Sequence, residues 1–415
     1  MTTSRPTLLP LDDALARLLA SAAPLTDIQR VSTFDADGRV LAQDVVSELQ
    51  VPPQDNSSMD GYALACASLS GPGSVLAVTQ RIAAGSSGQP LPAGEAARIF
   101  TGAPIPAGAD AVVMQEDCIL VSEAGDGKWG QVRIQAVPQP GQWIRRAGED
   151  VTRASVVLAR GTRLSPAGLG MAASVGLHEL QVLRRPRVAL FSTGDELVMP
   201  GEVAPADMRA GAIYNSNRFF LRAMLQRLGC TVSDRGIVPD RRDATVDALR
   251  EASQQHDLIL TSGGVSVGEE DHIRPAVQSL GALDLWQIAI KPGKPFAYGQ
   301  VGTAHFIGLP GNPVSSFVTF ALLVRPFLLR LQGVAVVAPV TGSARADFDW
   351  PRADKRREFL RVRRNTQGGV DLFPNQSSGV LTSAVWGDGL VDNPPGQTVA
   401  RGDTVRFVAM SDLLS

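Results

Sequence analysis

The second half of the chain alternates short apolar runs with longer segments of helical hydrophobic periodicity. Apolar runs of strand length occupy residues 188–191, 231–238, 258–260, 285–290 and 304–307. Helical periodicity is seen at residues 213–228, 244–255 and 273–280, and in a segment that follows the loop at 308–316 and ends near residue 331. Strands that alternate with helices predict an α/β domain with a mostly parallel sheet.

The flanking parts of the chain show other patterns. Residues 11–22 place leucines on one stripe and predict an amphipathic helix, and Ser165-Pro166 predicts the start of a helix that ends near residue 175. Residues 65–141 and 334–415 contain short β-branched runs separated by glycine and proline. This composition is typical of small β domains. A length of 415 residues also exceeds one ordinary core, so we expect two to four domains.

Composition and charge narrow the class of protein. The chain has 39 basic and 41 acidic residues and a net charge of −2, which argues against a general nucleic-acid binder. Cys66, Cys118 and Cys230 are far apart, which supports neither a disulfide framework nor a zinc site. We expect no signal peptide, because only Arg5 precedes a short N-terminal apolar patch, which Asp12 and Asp13 interrupt. We expect no transmembrane helix, because Arg325 and Pro326 interrupt the longest apolar stretch. A soluble, cytoplasmic protein is therefore expected.

Polar loops follow the carboxyl ends of the predicted strands. In an open parallel sheet these ends lie along one edge, where ligands bind. Each loop alone has the composition of an ordinary turn, but five of them on one edge indicate a ligand site. The loops expected to converge are residues 192–196, 240, 261–271, 291–294 and 310–312.

The residue types in these loops suit a phosphate or another oxoanion. Gly263 and Gly264 permit a sharp turn with backbone N–H groups open to a ligand. Lys291 and Lys294 flank a Pro-Gly turn and supply two positive charges. The stiff loop at residues 310–313 opens toward a helix N-terminus, which is a favourable position for an anion.

Three carboxylates on the same edge suit a divalent cation. Glu196, Asp240 and Asp271 offer the oxygen ligands that Mg²⁺ prefers, although acids in such turns are often merely solvated. The chain has no GxxxxGK[ST] motif and no GxGxxG in the first βα unit, which disfavours a P-loop or dinucleotide site. His272 is expected to be a loop residue rather than a catalyst.

Seven sequence blocks, in this order, resemble the molybdopterin molybdenumtransferases, also called molybdenum insertases. The similarity covers residues 11–331 and extends more weakly to the C-terminus. The blocks are DNSSMDGYAL, RIFTGAPIPAGADAVVMQE, RRAGED, STGDEL, SGGVSVGEEDH, KPGKPFAYG and GLPGNPVSSF.

The resemblance implies an elongated homodimer with four domains per chain. An active site would lie between the α/β domain of one subunit and the β-rich domain of the other. The fold class expected is α/β plus β. The expected domains are an extended N-terminal and linker domain at residues 1–50 and 142–178, a β-rich inserted domain at 51–141, a molybdopterin-binding α/β domain at 179–331 and a small β-barrel-like domain at 332–415.

The reaction implied is Mg²⁺-dependent insertion of molybdate into adenylylated molybdopterin. The phosphoanhydride is hydrolysed, AMP leaves and the molybdenum cofactor forms. Carried over by motif, Glu196, Asp240 and Asp271 would bind the metal and serve catalysis. The residues expected to bind substrate are Asp60, Thr101, Asp150, Gly263, Gly264, Ser266, Lys291, Lys294, Pro310, Pro313, Arg356 and Ser378.

The resemblance also implies specific partners. Asp60 and Thr101 would reach the substrate from the partner chain, and Arg356 and Ser378 would contact the oxoanion. The adenylyltransferase that supplies the substrate is a further expected partner, and no nucleic acid or membrane is expected. Gln287 departs from the lysine often found at this position in the family, so no charge is available there.

Two alternative functions share the same α/β domain. One is the adenylyltransferase that makes the adenylylated intermediate, but that smaller enzyme lacks the blocks around Asp60 and Thr101. The other is a non-catalytic scaffold of the gephyrin type, for which no long linker or added adenylyltransferase domain is visible. The sequence therefore favours the insertase.

Overall fold

A computed structural model describes residues 8–122, 129–238, 241–264 and 273–414. The α/β domain contains one mixed sheet of six strands. The first four strands run parallel to each other, and the last two join by antiparallel pairing, which confirms the mostly parallel sheet. In spatial order the strands are Thr231–Val238, Arg187–Thr193, Leu258–Ser262, Ala304–Leu309, Pro295–Val301 and Gly281–Gln287. The strand at Pro295–Val301 is not predicted by the apolar pattern.

Alternating strand residues divide the buried side chains between two cores, one on each face of the sheet. Along strand Arg187–Thr193, Val188 and Leu190 belong to the first core, and Ala189 and Phe191 belong to the second. Burial on both faces explains the nearly continuous apolar runs. The first face is covered by helices Ser216–Arg227, Pro313–Leu331 and Leu11–Ser21, and the second by helices Arg242–Gln255 and Ile273–Leu280.

The helix predicted at residues 213–228 begins three residues later than expected. The Asn215 side chain accepts a hydrogen bond from the Arg218 amide at 3.3 Å and so caps the helix at Ser216. Ile213–Tyr214 instead forms a short strand that pairs in parallel with Leu197–Val198.

The apolar helix Pro313–Leu331 ends where the periodicity predicts, and it is continuous through Arg325 and Pro326, which interrupt the apolar run but not the helix. A π-helical stretch at Phe320–Val324 precedes the proline, whose ring nitrogen has no N–H to donate. By length and composition this helix could cross a membrane, but 83% of its most apolar window is buried inside the protein. It is the central core helix, packed between sheet and N-terminal helix.

The N-terminal part is built from short antiparallel pairs around a small core. Helix Pro166–Ser174 packs there and is capped by Ser165, whose Oγ accepts from the Gly168 amide at 3.2 Å. A 3₁₀ turn at Thr33–Asp35 follows the first strand of this part, and the described residues of other parts contain further 3₁₀ turns at Cys66–Ser68, Gln115–Asp117 and Pro205–Asp207. The strand pairs are Ile28–Ser32 with Glu179–Leu183, Val45–Val46 with Val156–Leu158, and Asn56–Ser57 with Ile144–Arg145.

The β-rich part is a six-stranded sheet with apolar side chains on both faces. The two resulting cores explain the alternating β-branched runs in its sequence. In spatial order the strands are Ala111–Met114, Gly61–Leu64, Glu95–Ile99, Ser74–Ile82, Gln131–Ile134 and Cys118–Ser122. Cys66, Cys118 and Cys230 are all free thiols.

The C-terminal part is a closed five-stranded barrel, which confirms the barrel-like prediction. The short strand Ile290–Lys291 pairs in parallel with the first barrel strand and so joins the barrel to the α/β domain. Two short helices, Thr382–Trp386 and Met410–Leu414, lie against the barrel. Around the barrel the strands are Arg357–Arg364, Gly369–Leu372, Gly342–Ala346, Thr404–Ala409 and Gly389–Asn393, which pairs back to the first.

Candidate functional site

A cleft of about 700 Å³ lies at the carboxyl edge of the parallel strands. It brings together four residues expected from the sequence, namely Glu196, Gly263, Pro310 and Pro313. Its other walls come from the start of helix Ser216–Arg227 and from the barrel. The lining residues are Thr193, Glu196, Leu197, Ile213, Tyr214, Asn215, Ser216, Asn217, Ser262, Gly263, Pro295, Pro310, Gly311, Asn312, Pro313, Ser315 and Gly379.

The Gly263-Gly264 turn requires glycine at both positions. Both residues have positive φ angles, +91° and +67°. A Cβ atom on Gly263 would lie 2.7 Å from the carbonyl oxygen of Thr193, and one on Gly264 would lie 2.6 Å from the Ile273 side chain. We expected the Gly263 N–H to be open to a ligand. It instead donates a hydrogen bond to the Leu309 carbonyl at 3.0 Å. The absence of side chains lets the backbone of this turn pack closely against Thr193, which also lines the cleft.

Two helices begin at the cleft, at Ser216 and Pro313. The first-turn N–H groups of a helix lack intrahelical partners and carry partial positive charge, which favours an anion. Asn217, in the first turn of its helix, donates to Ser262 Oγ at 2.8 Å and to the Gly311 carbonyl at 2.7 Å. This side chain therefore connects three walls of the cleft.

Two residues that line the cleft carry unpartnered polar atoms. The Thr193 hydroxyl and the Asn215 side-chain amide nitrogen are buried and have no hydrogen-bond partner within the described part of the chain. Both residues line the cleft, and Glu196 adds an exposed carboxylate. Buried polar groups are normally hydrogen-bonded, so unpaired ones at a cleft indicate a ligand.

Lys291 does not line the cleft but connects the α/β domain to the barrel. Its ammonium donates to Glu358 Oε1 at 2.8 Å and lies 3.5 Å from Asp354 Oδ2. The ammonium also lies 5.7 Å from the ring centroid of Trp350. Lys294 is exposed and has no ion-pair partner among the described residues. Of the two predicted lysines, Lys294 is therefore the one whose charge is uncommitted.

The barrel contributes a loop to the cleft. The Ser378 carbonyl accepts a hydrogen bond from the Val314 amide at 2.9 Å, and the adjacent Gly379 lines the cleft. The Arg356 guanidinium donates two hydrogen bonds to Asp354, at 2.9 and 2.8 Å, and the Arg356 backbone N–H donates a third at 3.0 Å. This guanidinium holds the pKa of Asp354 far below its ordinary value. Arg356 is thus already paired with a carboxylate.

Asp60 and Thr101 contact each other in the β-rich part and do not line the cleft of their own chain. The backbone N–H and the hydroxyl of Thr101 each donate to Asp60 Oδ1 at 2.8 Å. These hydrogen bonds lower the pKa of Asp60, the backbone one most strongly. Asp150 is exposed, and its amide donates to the Val51 carbonyl at 3.0 Å.

Three predicted site residues lie outside the described residues. These are Asp240, Ser266 and Asp271, and His272 lies there as well. The described residues contain no group of three or more histidine, cysteine, aspartate or glutamate side chains placed to hold a metal ion. The assignments of Asp240 and Asp271 therefore remain predictions.

The residues that sequence reasoning missed are Thr193, Asn215, Asn217, Ser262 and Gly379 as individual contributors. Asn215 and Ser216 were considered only as the start of a helix. An Asn-Ser-Asn sequence at a helix start could have suggested that one asparagine caps the helix and the other is free for tertiary contacts.

Family models match most of the chain. The model described as the MoeA N-terminal region (domain I and II) matches residues 9–176. A probable molybdopterin binding domain matches residues 189–330, and the MoeA C-terminal region (domain IV) matches residues 343–410. The three matches thus follow the order of the structural units along the chain.

Relatives resemble the chain over nearly its whole length. A protein of Haemophilus influenzae named molybdopterin molybdenumtransferase is 39% identical, over 88% of this chain and 89% of that protein. A protein of Synechococcus elongatus with the same name is 36% identical, over 90% of this chain and 92% of that protein. The crystal structure of a molybdopterin biosynthesis moeA protein from Pyrococcus horikoshii superposes with a TM-score of 0.82 at 28% identity, covering 97% of this chain and all of that one. The chain therefore belongs to the molybdopterin molybdenumtransferase family.

Proposed function

We propose that this protein inserts molybdate into adenylylated molybdopterin, hydrolysing the adenylate and releasing AMP. The observation that carries the proposal is the cleft at the sheet edge, where two helix N-termini meet unpartnered polar groups and one carboxylate. Both proposed substrates are anions, and this arrangement suits oxoanions. The name molybdopterin molybdenumtransferase, given to the relatives, supports the transfer of molybdenum to molybdopterin.

The polar cleft would hold the phosphate and molybdate oxygens. Thr193 Oγ and the Asn215 side-chain amide can donate hydrogen bonds. The first turns of the two helices add N–H groups, except at Pro313, which has none, and at Val314, whose N–H donates to the Ser378 carbonyl. Lys294 would add positive charge at the neighbouring loop. These groups are fixed before substrate arrives, so they would orient the phosphoanhydride without a large reorganisation.

An apolar groove of about 450 Å³ would accept the organic part of the substrate. It shares Tyr214 and Ser216 with the cleft and is otherwise lined mainly by apolar side chains, including Phe219, Phe220 and Phe317. The side chain of Phe219 is 54% exposed, which leaves part of it open to solvent. Aromatic side chains stack readily on planar heterocycles such as pterin and adenine.

Mg²⁺ would bind on the Glu196 side of the cleft. The unpartnered Thr193 hydroxyl and the Glu196 carboxylate belong to the oxygen chemistry that this ion prefers. Asp240 and Asp271 remain the predicted additional ligands. When bound, the ion would neutralise negative charge on the phosphoanhydride.

The proposal is tested with two reaction mixtures. Protein is mixed with molybdopterin, ATP and Mg²⁺, or with adenylylated molybdopterin, molybdate and Mg²⁺. AMP release in the second mixture alone supports insertion, whereas adenylylation in the first would identify an adenylyltransferase. No reaction in either mixture would favour a scaffold. Glu196→Gln should lower the rate, and Asp207→Asn, at an exposed acid away from the cleft, should leave it unchanged.

We also propose a homodimer in which Asp60 and Thr101 complete the cleft of the partner. Mixing two inactive variants tests this arrangement. If Thr101→Ala and Glu196→Gln act on opposite sides of one shared site, mixed dimers contain one intact site. Statistical mixing should then restore about a quarter of wild-type activity. No recovery after subunit exchange would place both residues in the same subunit's site, or show that the subunits do not pair.

A further inference from the structure

Ser262 ends the central strand of the sheet and is buried at the cleft. The residue is 4% exposed, and it is one of the residues that line the cleft. Its Oγ accepts a hydrogen bond of 2.8 Å from the Asn217 side chain. A hydroxyl that accepts still has one hydrogen to donate. Within the described ranges, no acceptor for that hydrogen is present.

Asn217 is held so that its amide nitrogen faces Ser262. The residue is 8% exposed, and the same nitrogen also donates to the Gly311 carbonyl at 2.7 Å. Both hydrogens of the side-chain amide are therefore used, one on each partner. Asn217 does not cap its own helix, since Asn215 does so. The Asn217 amide thus fixes the Ser262 oxygen as an acceptor.

We propose that Ser262 is a substrate-binding residue whose hydroxyl donates to an anionic oxygen, and that Asn217 is the positioning residue that directs this donation. The inference rests on the proposed function for the identity of the anion, a phosphate or molybdate oxygen. Because the Asn217 amide donates to the Ser262 oxygen, the hydroxyl hydrogen does not point at Asn217 and is left to donate to a ligand in the cleft that Ser262 lines. Ser262 then belongs with Thr193 and Asn215 as a neutral donor.

The alternative is a purely structural role for the pair. A buried hydroxyl and amide that only satisfied each other would contribute to stability and not to anion affinity. In that case Ser262→Ala would lower the thermal midpoint and leave binding unchanged. The two roles are separated by measuring anion affinity and thermal stability on the same full-length variants.

The experiment measures binding of AMP, inorganic phosphate and molybdate by calorimetry to wild type, Ser262→Ala, Ser262→Thr, Asn217→Ala, Asn217→Gln and Ser262→Ala/Asn217→Ala. Loss of a hydrogen bond to a charged group should weaken binding of at least one anion about ten- to a hundredfold in Ser262→Ala. Ser262→Thr keeps the hydroxyl and should restore binding. Asn217→Gln keeps the amide but moves it, so it should bind as weakly as Asn217→Ala.

The double variant decides whether the two residues act as a unit. If Asn217 acts through Ser262, the double variant should bind no more weakly than Ser262→Ala. Ser47→Ala, a change at a buried serine in the N-terminal part, is the control and should bind like wild type. Full additivity, or unchanged binding of all three anions in Ser262→Ala, would overturn the proposal.

The outcomes separate this inference from the proposed reaction. A wild-type protein that binds AMP or molybdate in the expected variant pattern but releases no AMP from adenylylated molybdopterin would contradict the reaction and support the inference. A Ser262→Ala variant that catalyses insertion with unchanged KM and kcat would contradict the inference and support the reaction. A wild-type protein that binds none of the three anions overturns the inference. If Ser262→Ala is poorly folded, the comparison of Ser262→Thr with Asn217→Ala decides instead. The inference expects tighter anion binding by Ser262→Thr, so equal anion binding by the two variants overturns the inference.

Discussion

Removing the charge of Lys291 should weaken the junction between the α/β domain and the barrel. Its ammonium donates to Glu358, which is 1% exposed, at 2.8 Å. Trp350 Nε1 donates to the other carboxylate oxygen, also at 2.8 Å. Lys291→Met would leave this buried carboxylate with its indole donor and without a cation.

The expected cost follows from burial and exposure. Leaving a buried charge without its partner costs about 3–5 kcal/mol, and a hydrogen bond to a charged group contributes about 1.5–3 kcal/mol. The Lys291 side chain is 38% exposed, so water screens the pair and can partly replace the ammonium. We therefore expect about 2 kcal/mol. In a cooperative unit of roughly 150–250 residues this lowers the thermal midpoint by about 4–8 °C.

Scanning calorimetry on matched variants tests this magnitude. Lys294→Met removes an exposed lysine of the same loop that has no ion-pair partner in the described structure, so its free energy of unfolding should stay within about 0.5 kcal/mol of wild type. A double-mutant cycle of Lys291→Met with Glu358→Gln should give a coupling of about 1–2 kcal/mol. Equal midpoints for the two lysine variants, or additive effects in the cycle, would refute the assigned contact.

Three further changes have defined outcomes. Burial lowers the pKa of His305, and the negative charge of Asp257 partly opposes this effect. The unfolded imidazole therefore binds a proton below its ordinary pKa of 6.5 more readily than the folded one does. As a result, stability should fall as the pH drops through that value. His305→Phe should flatten this part of the urea-midpoint profile, and an unchanged slope would contradict it. Gly263→Ala meets both a φ of +91° and the Thr193 carbonyl at 2.7 Å, so AMP release should fall at least tenfold, whereas Gly170→Ala, with open space around it, should have little effect on AMP release. Phe327→Ala, at a fully buried ring, should cost about 3–5 kcal/mol in denaturant unfolding, and a cost under about 1 kcal/mol would show that the ring is not packed as described.

The position of the loop that carries Lys291 and Lys294 could be predicted, although the strand that follows this loop, Pro295–Val301, was missed. Strand Gly281–Gln287 is antiparallel to Pro295–Val301, which is itself antiparallel to Ala304–Leu309. Two reversals restore the original direction, so the carboxyl end of Gly281–Gln287 lies at the same edge as those of the parallel strands. The hairpin strand was missed because a Pro-Gly turn and a proline precede its apolar residues, which suggested a loop.

The polar wall of the cleft was harder to predict because its contacts join distant parts of the chain. Asn217 meets Gly311 across 94 positions and Ser262 across 45. Hydrophobic periodicity identifies the helix that carries Asn217, but it does not show which polar side chain on that helix turns inward. Helix caps are local and can be read from sequence, whereas tertiary bridges by the same residue type need the fold.

The basic residues show a related limit of sequence reasoning, with a consequence for the chemistry. Arg356 pairs with Asp354 only two positions away, a pairing that the sequence could suggest, while the partner of Lys291, Glu358, lies 67 positions away. Both cations looked available for an oxoanion, and both are held by carboxylates. The described walls of the cleft instead offer N–H and O–H groups from two helix starts and from Thr193, Asn215 and Ser262. Neutral donors in fixed positions can bind the oxygens of a departing AMP without the strong attraction of paired full charges, which favours release of a product that is itself an anion.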